Sequence, residues 1–162
     1  MKKIFLLLTV TVLSLSITSC SDDDSAPTNN GGNNEETVSF KINGIQKTFE
    51  HIVVNTENID SEVLLTIIAS ENNEANEFIT FQLYQDETGG AEVDTEWRYY
   101  DANKVYEEGG FNNEEAIQID QTITENNSEK LSGTFSGTLS RYEQEAGLIL
   151  LEITEGTFNI NR

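Results

Sequence analysis

The chain of 162 residues carries 29 Asp and Glu against 9 Lys and Arg, a formal net charge of −20, with one His, one Cys and one Pro. That length holds a single domain, and so acidic a chain excludes nucleic acid as a partner, because phosphate backbones are held by clustered Lys and Arg. The lone Cys excludes an intramolecular disulfide and a CxxC motif, and the lone His excludes His-rich zinc sites and the HExxH arrangement.

Lys2 and Lys3 open the chain, followed by an apolar run from Ile4 to Ile17 that only Thr and Ser interrupt, then Thr18, Ser19 and Cys20. A basic start, an apolar middle and small residues before a cut form the pattern of a signal peptide, here residues 1–19. The run falls short of the roughly 20 apolar residues that span a bilayer. Ile17-Thr18-Ser19-Cys20 resembles the bacterial lipobox. The resemblance implies that Cys20 is acylated, becomes the new N-terminus and makes the lipid bilayer a partner. Ser21, Asp22, Asp23 and Asp24 resemble the acidic export signal of Bacteroidota outer-membrane lipoproteins, which implies display on the cell surface. Loss of Lys2 and Lys3 leaves 29 acidic against 7 basic residues, a net charge of −22. Anionic head groups repel such a chain, so attachment rests on the acyl chains, and stable anchoring takes more than one of them.

Residues 20–36 comprise the acylated Cys and a tether of Ser, Asp, Asn, Gly, Thr and Glu, too polar to offset the entropy of ordering. As a flexible coil it reaches roughly 20 to 25 Å. From Thr37 onward the apolar residues alternate with period two. Val38, Phe40 and Ile42 share a face, Asn43-Gly44 signals a hairpin, and Ile45 to Val54 returns the chain. Its parity shifts after Phe49, which predicts a bulge near His51. Val63 to Ala69 is apolar at nearly every position, as in a strand covered on both faces or lying centrally. Ile79, Phe81 and Leu83 alternate with polar residues. Short strands follow at Thr95 to Tyr100 and Lys104 to Tyr106, then turns at Gly109-Gly110 and Asn112-Asn113. Ile117 to Ile123 precedes the Asn126-Asn127 turn. Leu131, Gly133, Phe135, Gly137 and Leu139 form one face, where the glycines leave room for bulky neighbours or mark bends. Ile149, Leu151, Ile153, Phe158 and Ile160 close the chain. The sum is about eight to ten short strands in an all-β domain over residues 37–162, an antiparallel β-sandwich or small β-barrel.

The segments Phe40-Lys41-Ile42-Asn43-Gly44, Lys130 to Leu139 and Ile153-Thr154-Glu155-Gly156-Thr157-Phe158 resemble small Bacteroidota lipoproteins whose C-terminal β domain is of unknown function. The resemblance implies an all-β fold and transfers no catalytic or binding residue.

Three groups of residues carry candidate chemistry. His51, the sole imidazole, is the only residue through which a His-based acid–base scheme could pass, yet no nucleophile motif accompanies it. Asp86, Glu87, Glu92 and Asp94 gather carboxylates around Gly89-Gly90, the donor type calcium prefers, without the spacing of an EF-hand. Trp97, Arg98, Tyr99 and Tyr100, with Tyr106 nearby, are the densest aromatic cluster. In a strand Trp97 and Tyr99 point one way and Arg98 and Tyr100 the other, so one pair serves the core and the other offers a platform for a sugar ring or a partner side chain. The reading is a surface-displayed, lipid-anchored, non-enzymatic module that binds a glycan or an envelope protein. A carboxylate-dependent hydrolase acting on polysaccharide and a calcium-stabilised structural module are the alternatives.

Overall fold

The computed structural model describes residues 36–73, 75–109 and 117–162. Cys20, Ser21, Asp22, Asp23, Asp24, the tether up to residue 35 and the Asn112-Asn113 turn lie outside the described residues. Period-two alternation is expressed as ten strands and no helix among the described residues. They are β1 (Thr37–Ile42), β2 (Ile45–Phe49), β3 (His51–Ile59), β4 (Glu62–Ser70), β5 (Glu77–Tyr84), β6 (Glu96–Asp101), β7 (Lys104–Glu107), β8 (Ile119–Asn126), β9 (Lys130–Glu143) and β10 (Gly147–Asn161). All pair antiparallel in one sheet of order β2-β1-β10-β9-β7-β6-β5-β4-β3, and β8 joins β9 on the edge that β7 also uses.

Local chemistry explains the turns. Asn43 and Gly44 both have positive φ, 48° and 82°, the backbone that a tight hairpin between β1 and β2 requires and that this dipeptide tolerates. The parity shift after Phe49 has a different cause from the predicted bulge. The strand breaks at Glu50: β2 ends on the free edge of β1, and β3 begins on β4 at the opposite end of the sheet. A single residue can carry the chain between the two edges only because the sheet curls until they adjoin, which also shortens the exposed edges. The Val63 to Ala69 run lies between β3 and β5, with Leu65, Ile67 and Ala69 fully buried and Leu64, Thr66 and Ile68 half-buried on the outer face.

Side chains from opposite limbs of the curled sheet meet inside. Phe81, Trp97 and Phe135 stack in series at 4.3 and 4.5 Å, Phe81 reaches Phe158 at 5.2 Å, and Phe40 meets Tyr99 at 6.3 Å. Each fully buried side chain of this kind stabilises the fold by about 1.5–3 kcal/mol. Gly137 marks where β8 leaves the edge of β9. Its φ is +151°, and a Cβ there would fall 2.1 Å from the Gln118 carbonyl oxygen. With the interior packed by rings, ligand chemistry is left to the ends of the strands, the outer face and the gap beside β8.

Candidate ligand-binding site

The alternation read along β6 is realised. Trp97 is fully buried, donating its indole N–H to Thr95 Oγ1 at 3.1 Å, and Tyr99 is buried beside it. Arg98 and Tyr100 face outward. Arg98 pairs with Glu96 and, at 3.7 Å, with Glu107. Tyr100 stacks on Phe78 at 4.2 Å with 12° between the planes, so each ring covers one face of the other. A platform for a sugar needs an open ring face, and the stack reduces what Tyr100 offers. His51 is exposed at the start of β3, on the face opposite Ile52 and Val54.

The inward pair leads to a better-built site. Tyr99 and Tyr106 come together with ring centroids 6.1 Å apart. Lys47, Glu77 and Asp101 join them at one open end of the curled sheet, around a cavity of about 220 Å³ whose apolar wall is Ile42, Ile45 and Leu151. Lys47 Nζ lies 2.6 Å from Glu77 Oε1, and the Tyr99 hydroxyl donates to the same oxygen. Burial pushes the Glu77 carboxyl up, but the hydrogen bonds from Lys47 and Tyr99 and the Lys47 charge together outweigh it and hold its pKa below the ordinary 4.5. Burial first, and the Glu77 carboxylate second, drive the Tyr99 phenol well above its usual range. The Arg141 guanidinium lies 5.1 Å over the Tyr106 ring and pairs with Glu143. Glu77 and Asp101 are register partners on β5 and β6, two carboxylates directly opposite each other. That placement is normally destabilising.

The cavity lies over the β1–β2 hairpin: Ile42 and Ile45 are register partners beside its turn, and Lys47 pairs with Phe40 further along. Lys47, Glu77, Asp101 and Ile45 do not stand out in the sequence as site residues. Their signal is parity: Lys47 shares a face with Phe49, Glu77 with Ile79 and Phe81, and Asp101 with Trp97 and Tyr99, so each is a charge on an inward-facing register.

The loop carboxylates part company. Glu92 and Asp94 line a groove of about 490 Å³ beside β8, together with Glu108 and Gln121. Asp86 instead acts electrostatically on Arg162, and the Glu87 carbonyl accepts the Asn126 amide at 2.9 Å. Among the described residues no group of three or more His, Cys, Asp or Glu side chains is arranged to hold a metal ion. In the groove Glu108 has a structural task. Its two carboxylate oxygens accept the Trp97 N–H at 2.9 Å and the Ile119 N–H at 2.7 Å, bridging β6 and β8 where the sheet forks. No family model matches the chain, and no curated protein or solved structure matches it.

Proposed function

We propose that the chain is a lipid-anchored, surface-displayed binding module without catalytic activity, held to the outer membrane through Cys20 and presenting its ligand site at the mouth formed by Lys47, Glu77, Tyr99, Asp101 and Tyr106. The observation that carries the reading is the convergence of these five polar side chains on an apolar-walled opening. Open mouths of curled β-sheets with a few converging polar groups are common ligand sites. Lys47 and Tyr99 hold the Glu77 carboxyl below its ordinary range, which suits it to accept hydrogen bonds from a ligand.

The test has two parts. Protease added to intact cells should cleave the native protein and spare a variant with Asp22, Asp23 and Asp24 replaced by Ala. The intact acylated protein should retain a component of a cell-envelope extract, and Lys47→Met should release it. Protection of the native form on intact cells removes surface display. Retention that survives Lys47→Met moves the site away from the mouth.

A further inference from the structure

The size, charge balance and donor set of the mouth specify a ligand class, on the reading that the domain binds rather than catalyses. Its volume of about 220 Å³ lies below the roughly 300 Å³ at which pockets for drug-sized molecules begin. One ring fits such a space. The charged side chains that line it are one cation and two carboxylates: Lys47 sits on Glu77 at 2.6 Å, and Asp101 has Lys104, from outside the lining, at 4.0 Å. An anion would find Lys47 already paired and two carboxylates beside it, and would approach against the field of a strongly acidic chain. A cation would enter against the Lys47 charge, which already sits 2.6 Å from the Glu77 carboxylate.

A neutral ligand rich in hydroxyl groups meets neither obstacle. Hydroxyl donors shared between Glu77 and Asp101 would relieve the repulsion of two carboxylates set opposite each other. A carboxylate has about four lone-pair sites, so Glu77 keeps acceptor capacity beyond the bonds from Lys47 and Tyr99. The apolar wall asks for a C–H surface in the same ligand, since Ile45 is 67% exposed and would lose that exposure under an occupant. Hydroxyls around a rim and C–H groups on the faces describe a pyranose. We infer that the mouth holds a single neutral pyranose residue, the end of a glycan chain, with its hydroxyls on Glu77 and Asp101 and a C–H face on Ile45 and Leu151.

The experiment uses the intact acylated protein in a detergent without a sugar head group. The probes are the methyl glycosides of glucose, galactose, mannose and N-acetylglucosamine, with methyl glucuronoside as the anionic counterpart, followed by saturation-transfer NMR and calorimetric titration. The expected result is that at least one neutral glycoside binds at least tenfold more tightly than the glucuronoside. Asp101→Asn and Glu77→Gln should each weaken it about tenfold or more, as loss of a charge-assisted hydrogen bond does, while Tyr100→Ala on the outer face changes it less than twofold. Asp101 is exposed, so its Asn variant keeps the fold, and circular dichroism verifies this for both mouth variants. Preference for the glucuronoside, or loss on Tyr100→Ala with none on Asp101→Asn, overturns the assignment. So does the absence of binding by every glycoside. In that last case an envelope component still retained through Lys47 leaves the binding module standing without its sugar, whereas retention of nothing removes both.

Discussion

The ring of Phe158 on β10 lies against the bare Cα of Gly133, its register partner on β9. The relation is reciprocal. Phe135 lies in the same way over Gly156, so Gly133-Thr134-Phe135 and Gly156-Thr157-Phe158 pair as two copies of one tripeptide, each glycine seating the other strand's ring. Glycine weakens a strand when nothing fills the space it leaves. Here the two rings fill it, 6.2 Å apart, and Trp97 stacks on Phe135 above them.

The seats tolerate no side chain. A Cβ on Gly133 would stand 2.5 Å from Phe158 Cζ and 2.4 Å from the Thr122 carbonyl oxygen, and one on Gly156 would stand 2.4 Å from the Phe135 carbonyl oxygen. Gly133→Ala and Gly156→Ala should each destabilise the domain by about 1–3 kcal/mol, the cost of overpacking a filled core. Urea unfolding followed by circular dichroism measures this, and an unchanged midpoint in both variants would contradict the reciprocal seating.

The two faces of β6 differ in what they contribute. Trp97→Ala removes a fully buried ring between Phe81 and Phe135 and should cost about 3–5 kcal/mol. Tyr100→Ala removes one half of an outer-face stack and should cost about 0.5–1.5 kcal/mol. Trp97 is the sole Trp, so both are followed by circular dichroism rather than Trp fluorescence. Comparable losses would mean that the outer face is as deeply packed as the inner one.

Most of this architecture follows from period two and from turn chemistry. The hairpin at Asn43-Gly44, the opposite facing of Trp97 and Arg98, and the spacing role of Gly133 all rest on neighbours in sequence or on a property of one residue. The edge switch at Glu50 does not, because it depends on how far a sheet of ten strands curls. The mouth was hidden for the same reason. Lys47, Glu77 and Asp101 lie on separate strands, and β2 with β5 are not neighbours in the sheet, so only the curl brings Lys47 to Glu77. Glu108 follows a short strand at a Gly-Gly turn, where a carboxylate reads as solvated. Its two backbone partners, Trp97 and Ile119, become adjacent only when the sheet forks.

Glu77 makes stability depend on acidity in a definite direction. Its folded pKa lies below the ordinary 4.5, so the unfolded chain takes up its proton first as pH falls. The stabilisation from Lys47 and Tyr99 is complete above 4.5 and is lost as pH drops through the folded value. Glu77→Gln should flatten the decline of the urea midpoint on the acid side of 4.5, because it titrates nothing there. An identical acid limb in the variant and the native chain would show that the clasp across the mouth carries no titrating stabilisation.

Glu108 acts with the opposite sign. Burial is its largest influence and raises its pKa, the N–H groups of Ile119 and Trp97 pull it back without overcoming burial, and the charges of Glu96 and Asp94 raise it further. A carboxyl with a folded pKa above 4.5 holds its proton more tightly in the folded chain, so its contribution to stability falls as pH rises from 4.5 through the folded value. Glu108→Gln should remove that fall on the neutral side of 4.5. Where the native carboxylate is ionised it should also lower stability by about 1–3 kcal/mol, because an amide has one acceptor oxygen for two backbone N–H donors and leaves the other unpaired. Urea midpoints of the native and Gln chains between pH 4 and 8 separate the two effects: the slope reports the titration and the offset reports the lost acceptor. A variant that keeps the native slope would assign it to other acids, and one with no offset would mean that Glu108 does not hold β6 and β8 together at the fork.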